Sequence, residues 1–134
     1  MHNTKVLERC KDKVTENKYR WSVMVGKTKF TLYIPKWRVP LPLPRRVRVV
    51  IYLSGDKHPD LSQLKYSESA NAPELNQSPI VAKVRFNSEH TKTIRYDPIG
   101  VPKDLEIGNP YIPQELLPKE PPSELTISVE WLAG

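Results

Sequence analysis

Cysteine and glycine are scarce in this sequence of 134 residues, which contains one cysteine and five glycines. The lone Cys10 cannot form an internal disulfide. So few glycines leave little material for a phosphate-binding loop, and no Walker-type loop, dinucleotide fingerprint or Gly-x-Ser-x-Gly elbow occurs. We therefore expect a protein that is not an enzyme and carries no cofactor.

Long apolar runs are also missing. No stretch approaches the roughly 20 apolar residues that a membrane-spanning helix needs. The N-terminus lacks the succession of charged, apolar and small residues that is typical of a signal peptide. These absences predict a cytoplasmic protein without a membrane partner.

Proline, by contrast, is abundant, with 14 residues. Because proline is excluded from helix interiors and from central strand positions, this content predicts long, stiff, extended connections and few helices. The length suits one domain. We expect a polar N-terminal segment over residues 1–18, forming a short helix or a tail, followed by a single β domain over residues 19–134.

Alternating apolar residues predict a β-hairpin after Tyr19. Gly26 and Lys27 supply a two-residue turn, in which a glycine at the first central position allows a positive φ. With this turn, Trp21 faces Leu32 and Val23 faces Phe30, so the apolar side chains of both strands share one face.

Four further segments alternate in the same way and predict four more strands: Arg45–Leu53, Ile80–Phe86, Thr91–Tyr96 and Leu125–Trp131. Residues 57–78 and 98–122 are long connections between them, each with room for one helical turn. Six strands joined by hairpins and proline-rich connections predict an all-β antiparallel sandwich or partly open barrel. Val39–Pro44, with alternate prolines, is expected to cross the core as a stiff connection that covers it with Leu41 and Leu43.

Positive charge is concentrated in the first part of the chain. Residues 1–60 carry 14 Lys or Arg against 5 Asp or Glu, and the remainder carries 7 against 10. A basic surface can bind a polyanion, or it can be ordinary solvated surface.

The outward strand positions combine cations with tyrosines, which are the ingredients of single-strand DNA or RNA binding on a sheet. The candidate residues are Arg20, Tyr33, Arg46, Arg48, Tyr52, Lys83, Arg85 and Arg95. Solvated edge charges that prevent aggregation are the competing interpretation. Whether residues 46–53 and 80–86 are neighbouring strands decides if the arginines form one patch.

The alternative function is a protein-interaction or scaffold subunit of a larger complex. Its candidate contact residues are Trp37, Leu41, Leu43, Tyr111 and Ile112. Asp56, His58 and Asp60 alternate in one segment as weak candidates for a metal site, but no second histidine or acidic pair completes a ligand shell. We therefore expect no metal.

Overall fold

The computed structural model describes residues 2–10, 17–40, 42–53, 79–99 and 107–132. This part of the chain is almost entirely β-structure and contains no α-helix. Its strands are β1 (His2–Arg9), β2 (Lys18–Val25), β3 (Thr28–Pro35), β4 (Arg46–Leu53), β5 (Ile80–Glu89), β6 (Thr93–Pro98), β7 (Tyr111–Pro113) and β8 (Glu124–Leu132). Short 3₁₀ turns lie at Lys36–Arg38 and Gln114–Leu116.

All eight strands belong to one antiparallel sheet in the order β3-β2-β1-β4-β8-β5-β6-β7. The two end strands, β3 and β7, approach each other, so the sheet curls into a nearly closed barrel with one seam. The predicted all-β, partly open barrel is confirmed, while the expected number of strands is too low. Among the residues described, no helix is long and apolar enough to cross a membrane.

The predicted hairpin is confirmed in its register. Trp21 pairs with Leu32, Val23 with Phe30, and Val25 with Thr28. Gly26 has the expected positive φ, +59°. The two-residue periodicity, combined with the glycine turn, was sufficient here because the whole pairing is local.

The inner faces of the strands form one continuous core. Trp21 is fully buried, its indole N–H donates to the carbonyl of Pro44 at 3.3 Å, and its ring lies 6.2 Å from that of Trp131. Arg38 is buried as well and donates to the carbonyl of Pro79 at 3.0 Å. These two bonds tie the connection between β3 and β4 to the core and to the start of β5.

The expectation of a helix or tail at the N-terminus is wrong for residues 2–9, which form β1. This strand lies between β2 and β4, and Leu7 enters the core with no exposed surface. Only Leu7 in β1 is a buried apolar residue, while Val6 faces outward and is 38% exposed. One buried side chain in a segment of this length carries no recognisable periodicity.

Two other segments differ from expectation. The connection over residues 98–122 contains β7, and β5 continues past its predicted end at Phe86 to Glu89. A register shift between Phe86 and Ser88 accommodates Asn87 as a bulge. Leu43 packs against the core as predicted. Leu41 and residues 57–78 lie outside the described part of the chain.

Candidate functional site

Strand order determines which outward cations are neighbours. β4, with Arg46 and Arg48, is separated from β5, with Lys83 and Arg85, by β8. The two pairs of cations are therefore not adjacent across a ladder. Arg20 on β2 and Arg95 on β6 lie on other parts of the barrel wall.

Carboxylates are interleaved with the arginines of β4 and β5. Arg48 forms an ion pair with Glu130 of β8 at 3.5 Å. Arg46 pairs in register with Glu8 of β1. Arg85 lies between Glu124 of β8 and Asp97 of β6. A phosphate backbone along these strands would meet alternating charge, which argues against the single patch that adjacent strands would have formed.

Tyr52, a predicted stacking residue, is only 7% exposed, and Val50 on the same outward face is 5% exposed. Ser128, the register partner of Val50, is fully buried. The outward face of β4 is thus covered at this end, and the ring of Tyr52 is not available to a base. The prediction of Tyr52 as a stacking residue is wrong because periodicity assigns a face of the sheet but not what covers that face.

The seam between β3 and β7 is the opening of the barrel. β7 has only three residues, ends at Pro113 and is preceded by Pro110. Proline has no backbone N–H, so Pro113 removes a donor that a β3–β7 ladder would need, whereas the carbonyl of Pro110 faces β6 and accepts from the Tyr96 N–H at 2.9 Å. The short length of β7 and the missing N–H of Pro113 thus limit pairing with β3, and the sheet stops short of full closure.

A cleft of about 390 Å³ lies at this seam, and we call it the seam cleft. Its lining combines cationic, aromatic and amide side chains with backbone from the segment before β7. The lining residues are Lys18, Lys29, Thr31, Leu32, Tyr33, Ile107, Gly108, Asn109, Pro110 and Tyr111. Lys29 is exposed, and the Lys18 ammonium lies 3.7 Å from the position that a Cβ on Gly108 would occupy.

Tyr33 forms the β3 wall of the cleft and is held by its cross-strand neighbour. Arg20 pairs with it in register, donates to its hydroxyl at 3.4 Å, and places its guanidinium carbon 5.9 Å from the ring centroid. The hydrogen bond to Tyr33 is the main cause that raises the pKa of Arg20. Arg20 and Tyr33, both predicted site residues, are therefore brought together.

Tyr111 forms the β7 wall. Its ring lies 5.3 Å from the ring of His90, tilted by 58°, and it pairs in register with Arg95. Arg95 also forms an ion pair with Asp97 at 2.9 Å, which raises the pKa of its guanidinium. Arg95, predicted for nucleic-acid contact, and Tyr111, predicted for protein contact, are thus neighbours at one site.

The other predicted contact residues are dispersed. Ile112 is fully buried, so its prediction as a surface contact is wrong; it alternates with Tyr111 and faces the core. Trp37 is 59% exposed in the 3₁₀ turn after β3. Asp56, His58 and Asp60 lie outside the described residues. Within the described ranges, no three His, Cys, Asp or Glu side chains are close enough to hold a metal ion.

Sequence reasoning missed Lys18 and Lys29 and assigned Tyr111 to another role. Lys29 could have been found, since it occupies an outward position of the predicted hairpin, two residues before Thr31 and four before Tyr33. Tyr111 could not have been placed beside Tyr33, because 78 positions of chain separate them and only barrel closure unites them.

No protein-family model, curated protein or solved structure was found to match this chain. The seam cleft therefore has to be interpreted from its own chemistry.

Proposed function

We propose that this protein is a non-enzymatic binding protein that holds nucleic acid at the seam cleft. The observation that carries the proposal is the lining: two tyrosines that are 39% and 43% exposed, Tyr33 and Tyr111, share one open recess with Lys18 and Lys29. Lysines neutralise phosphates, and aromatic rings stack on bases. The site differs from the expected face on β4 and β5, where carboxylates interrupt the cations.

The positive charge around the seam cleft also supports it as the place where nucleic acid binds. Besides its two lysines, the cleft has Arg20 behind Tyr33 and Arg95 beside Tyr111. Asp97 is engaged by Arg95 and also accepts a hydrogen bond from Asn87 at 2.6 Å. Because the carboxylate of Asp97 offsets the charge of Arg95, we count phosphate contacts from the two lysines only. Two contacts to a single strand would give a salt slope of about −1.4, and therefore roughly a sevenfold loss of affinity between about 50 and 200 mM salt.

Charge reversal in a matched pair of lysines tests the location. Lys29→Glu places a carboxylate in the cleft, whereas Lys83→Glu places one on the outward face of β5, and both lysines are exposed. In fluorescence anisotropy with labelled DNA and RNA oligonucleotides, we expect Lys29→Glu to weaken binding about fivefold or more, the effect of about 1 kcal/mol of Coulomb energy in water. Lys83→Glu should bind as the unchanged protein does.

The proposal fails if the unchanged protein binds no DNA or RNA oligonucleotide at about 50 mM salt. If Lys83→Glu weakens binding as much as Lys29→Glu does, nucleic acid binds but not at the seam cleft. Thermal unfolding of both variants by circular dichroism confirms that the comparison is between folded proteins.

A protein partner is the second candidate, and the exposure of Trp37 favours it. A tryptophan that is 59% exposed beside Val39 and Pro40, both buried, is a typical anchor for a protein interface. Trp37→Ala should then abolish recovery of a specific partner from the native host while oligonucleotide binding is retained. Recovery of the same partner with Trp37→Ala contradicts this role.

A further inference from the structure

The two aromatic walls of the seam cleft are recessed and do not stand on a flat sheet face. Tyr33 comes from β3 and Tyr111 from β7, on opposite sides of the opening. The cleft, at about 390 Å³, is near the small end of the volumes typical of pockets for small organic molecules, about 300–1,000 Å³. Such a recess can admit a base with its sugar but not a double helix.

Both rings are positioned before any ligand arrives. Tyr33 is held by Arg20 through its hydroxyl, and Tyr111 rests against the ring of His90. Side chains that are already ordered lose little conformational entropy on binding. The walls are thus arranged to receive a planar group.

The β7 wall is poorly suited to an extended peptide. A peptide that adds a strand to a sheet edge binds through alternating backbone donors and acceptors. On this edge Pro113 provides a carbonyl group but no N–H, and the carbonyl of Pro110 already accepts from the Tyr96 N–H of β6 at 2.9 Å. A ligand in the cleft would therefore be bound by side chains, through the aromatic rings and the lysine ammonium groups.

We infer that the seam cleft selects unpaired nucleic-acid strands over duplexes, by admitting a base against Tyr33 and Tyr111 while Lys18 and Lys29 contact the flanking phosphates. This inference rests on the proposed function and specifies its ligand. In a duplex the phosphates are accessible but the faces of the bases are stacked on one another. The lysines can therefore contact either form, whereas the tyrosines can stack only on an unpaired base.

The test measures anisotropy with one labelled oligonucleotide, presented as a single strand and as a duplex with its unlabelled complement, at one salt concentration. The unchanged protein should bind the single strand at least about tenfold more tightly, which corresponds to stacking of one or two bases. Tyr33→Leu and Tyr111→Leu should each lose about fivefold or more for the single strand and change duplex binding little. Tyr33→Phe keeps the ring and should retain most of the affinity.

Three outcomes overturn the inference and differ from failure of the proposed function. If the protein binds single strand and duplex with equal affinity, and Lys29→Glu weakens both, the protein binds nucleic acid at the cleft but does not select unpaired strands. If Tyr33→Leu and Tyr111→Leu lose the same affinity for the single strand and for the duplex, the rings support the structure of the cleft and do not stack on bases. Equally tight binding of polyglutamate of matched charge would make the cleft a general anion site. Absence of binding to either oligonucleotide instead ends the proposed function itself.

Discussion

Tyr96 combines full burial with a titratable hydroxyl. Its side chain is enclosed in the core, its hydroxyl donates to the carbonyl of Pro122 at 2.8 Å, and its ring meets that of Phe86 edge to face. Burial raises the pKa of Tyr96 to about 12. The phenol ionises more readily in the unfolded chain, where the pKa of tyrosine is about 10.

This pKa difference predicts a loss of stability in alkali. Below about pH 10 both states keep the proton, so the contribution of Tyr96 to stability is fully present. As the pH rises from there through about 12, the unfolded chain releases the proton first and the contribution is lost. Urea unfolding at about pH 9 and about pH 11 should show this decrease in the free energy of unfolding.

Tyr96→Phe separates the titration of Tyr96 from that of other groups that titrate in alkali. Tyr96→Phe should be less stable at about pH 9 by the roughly 1 kcal/mol typical of a lost hydrogen bond, but it should lose less on the way to pH 11. An identical pH dependence for Tyr96→Phe would contradict the assignment.

Single residues also show why the predicted site on the outward strand faces was only partly correct. Val50 and Tyr52 occupy the outward face of β4, as the alternation predicts, and yet both are buried. Alternation reports on which side of a strand a side chain lies, and exposure depends on what packs there. Arg48 was correctly placed outward, but its partner Glu130 comes from a strand 82 residues later in the chain, so the neutralising contact could not be predicted locally.

At the scale of elements, β1 is the strand whose importance is least visible in the sequence. It hydrogen-bonds to β2 on one side and to β4 on the other, and without it the sheet would separate into two parts. Leu7 is its fully buried apolar side chain. Thr4, Val6 and Glu8 alternate with Leu7 on the opposite face and are exposed, so polar residues there are compatible with an interior strand of the sheet.

Leu7→Ala tests this role of β1. A buried leucine replaced by alanine leaves a cavity, and we expect a loss of 2–5 kcal/mol, roughly, in the free energy of unfolding. Val6→Ala, one residue earlier, removes a side chain that is 38% exposed and should cost less than about 1 kcal/mol. Chemical denaturation of both variants measures the difference, and similar small losses would show that β1 contributes little to stability.

At the scale of the whole molecule, the barrel depends on contacts between residues distant in the chain. β4 pairs with β8 from Arg46↔Leu132 to Leu53↔Leu125, and β1 pairs with β4. The chain loses entropy in closing long loops before the distant strands can form their hydrogen bonds. β-proteins whose strands pair over long distances in sequence therefore fold in milliseconds to seconds. With 14 prolines in the chain, most unfolded molecules also hold at least one non-native prolyl bond.

Refolding should accordingly show a phase on that timescale and a slower one of roughly 10–100 s at 25 °C. The slow phase should accelerate when a prolyl isomerase is added. In a double-jump experiment, in which unfolding lasts only seconds before refolding begins, the slow phase should be largely lost, because the prolyl bonds have not yet equilibrated. If neither the prolyl isomerase nor the short unfolding time changes the slow phase, that phase reports strand pairing and not prolyl isomerisation.

The sequence by itself determined the strand class and the β2–β3 hairpin with its register. These features depend on periodicity and turn chemistry that act over a few residues. Tertiary structure alone decided that β8 separates β4 from β5, that β1 lies inside the sheet, and that Tyr33 and Tyr111 line one cleft. Each of these facts follows from pairing between segments that are distant in the chain. The periodicity of a strand does not specify which distant strand it will pair with.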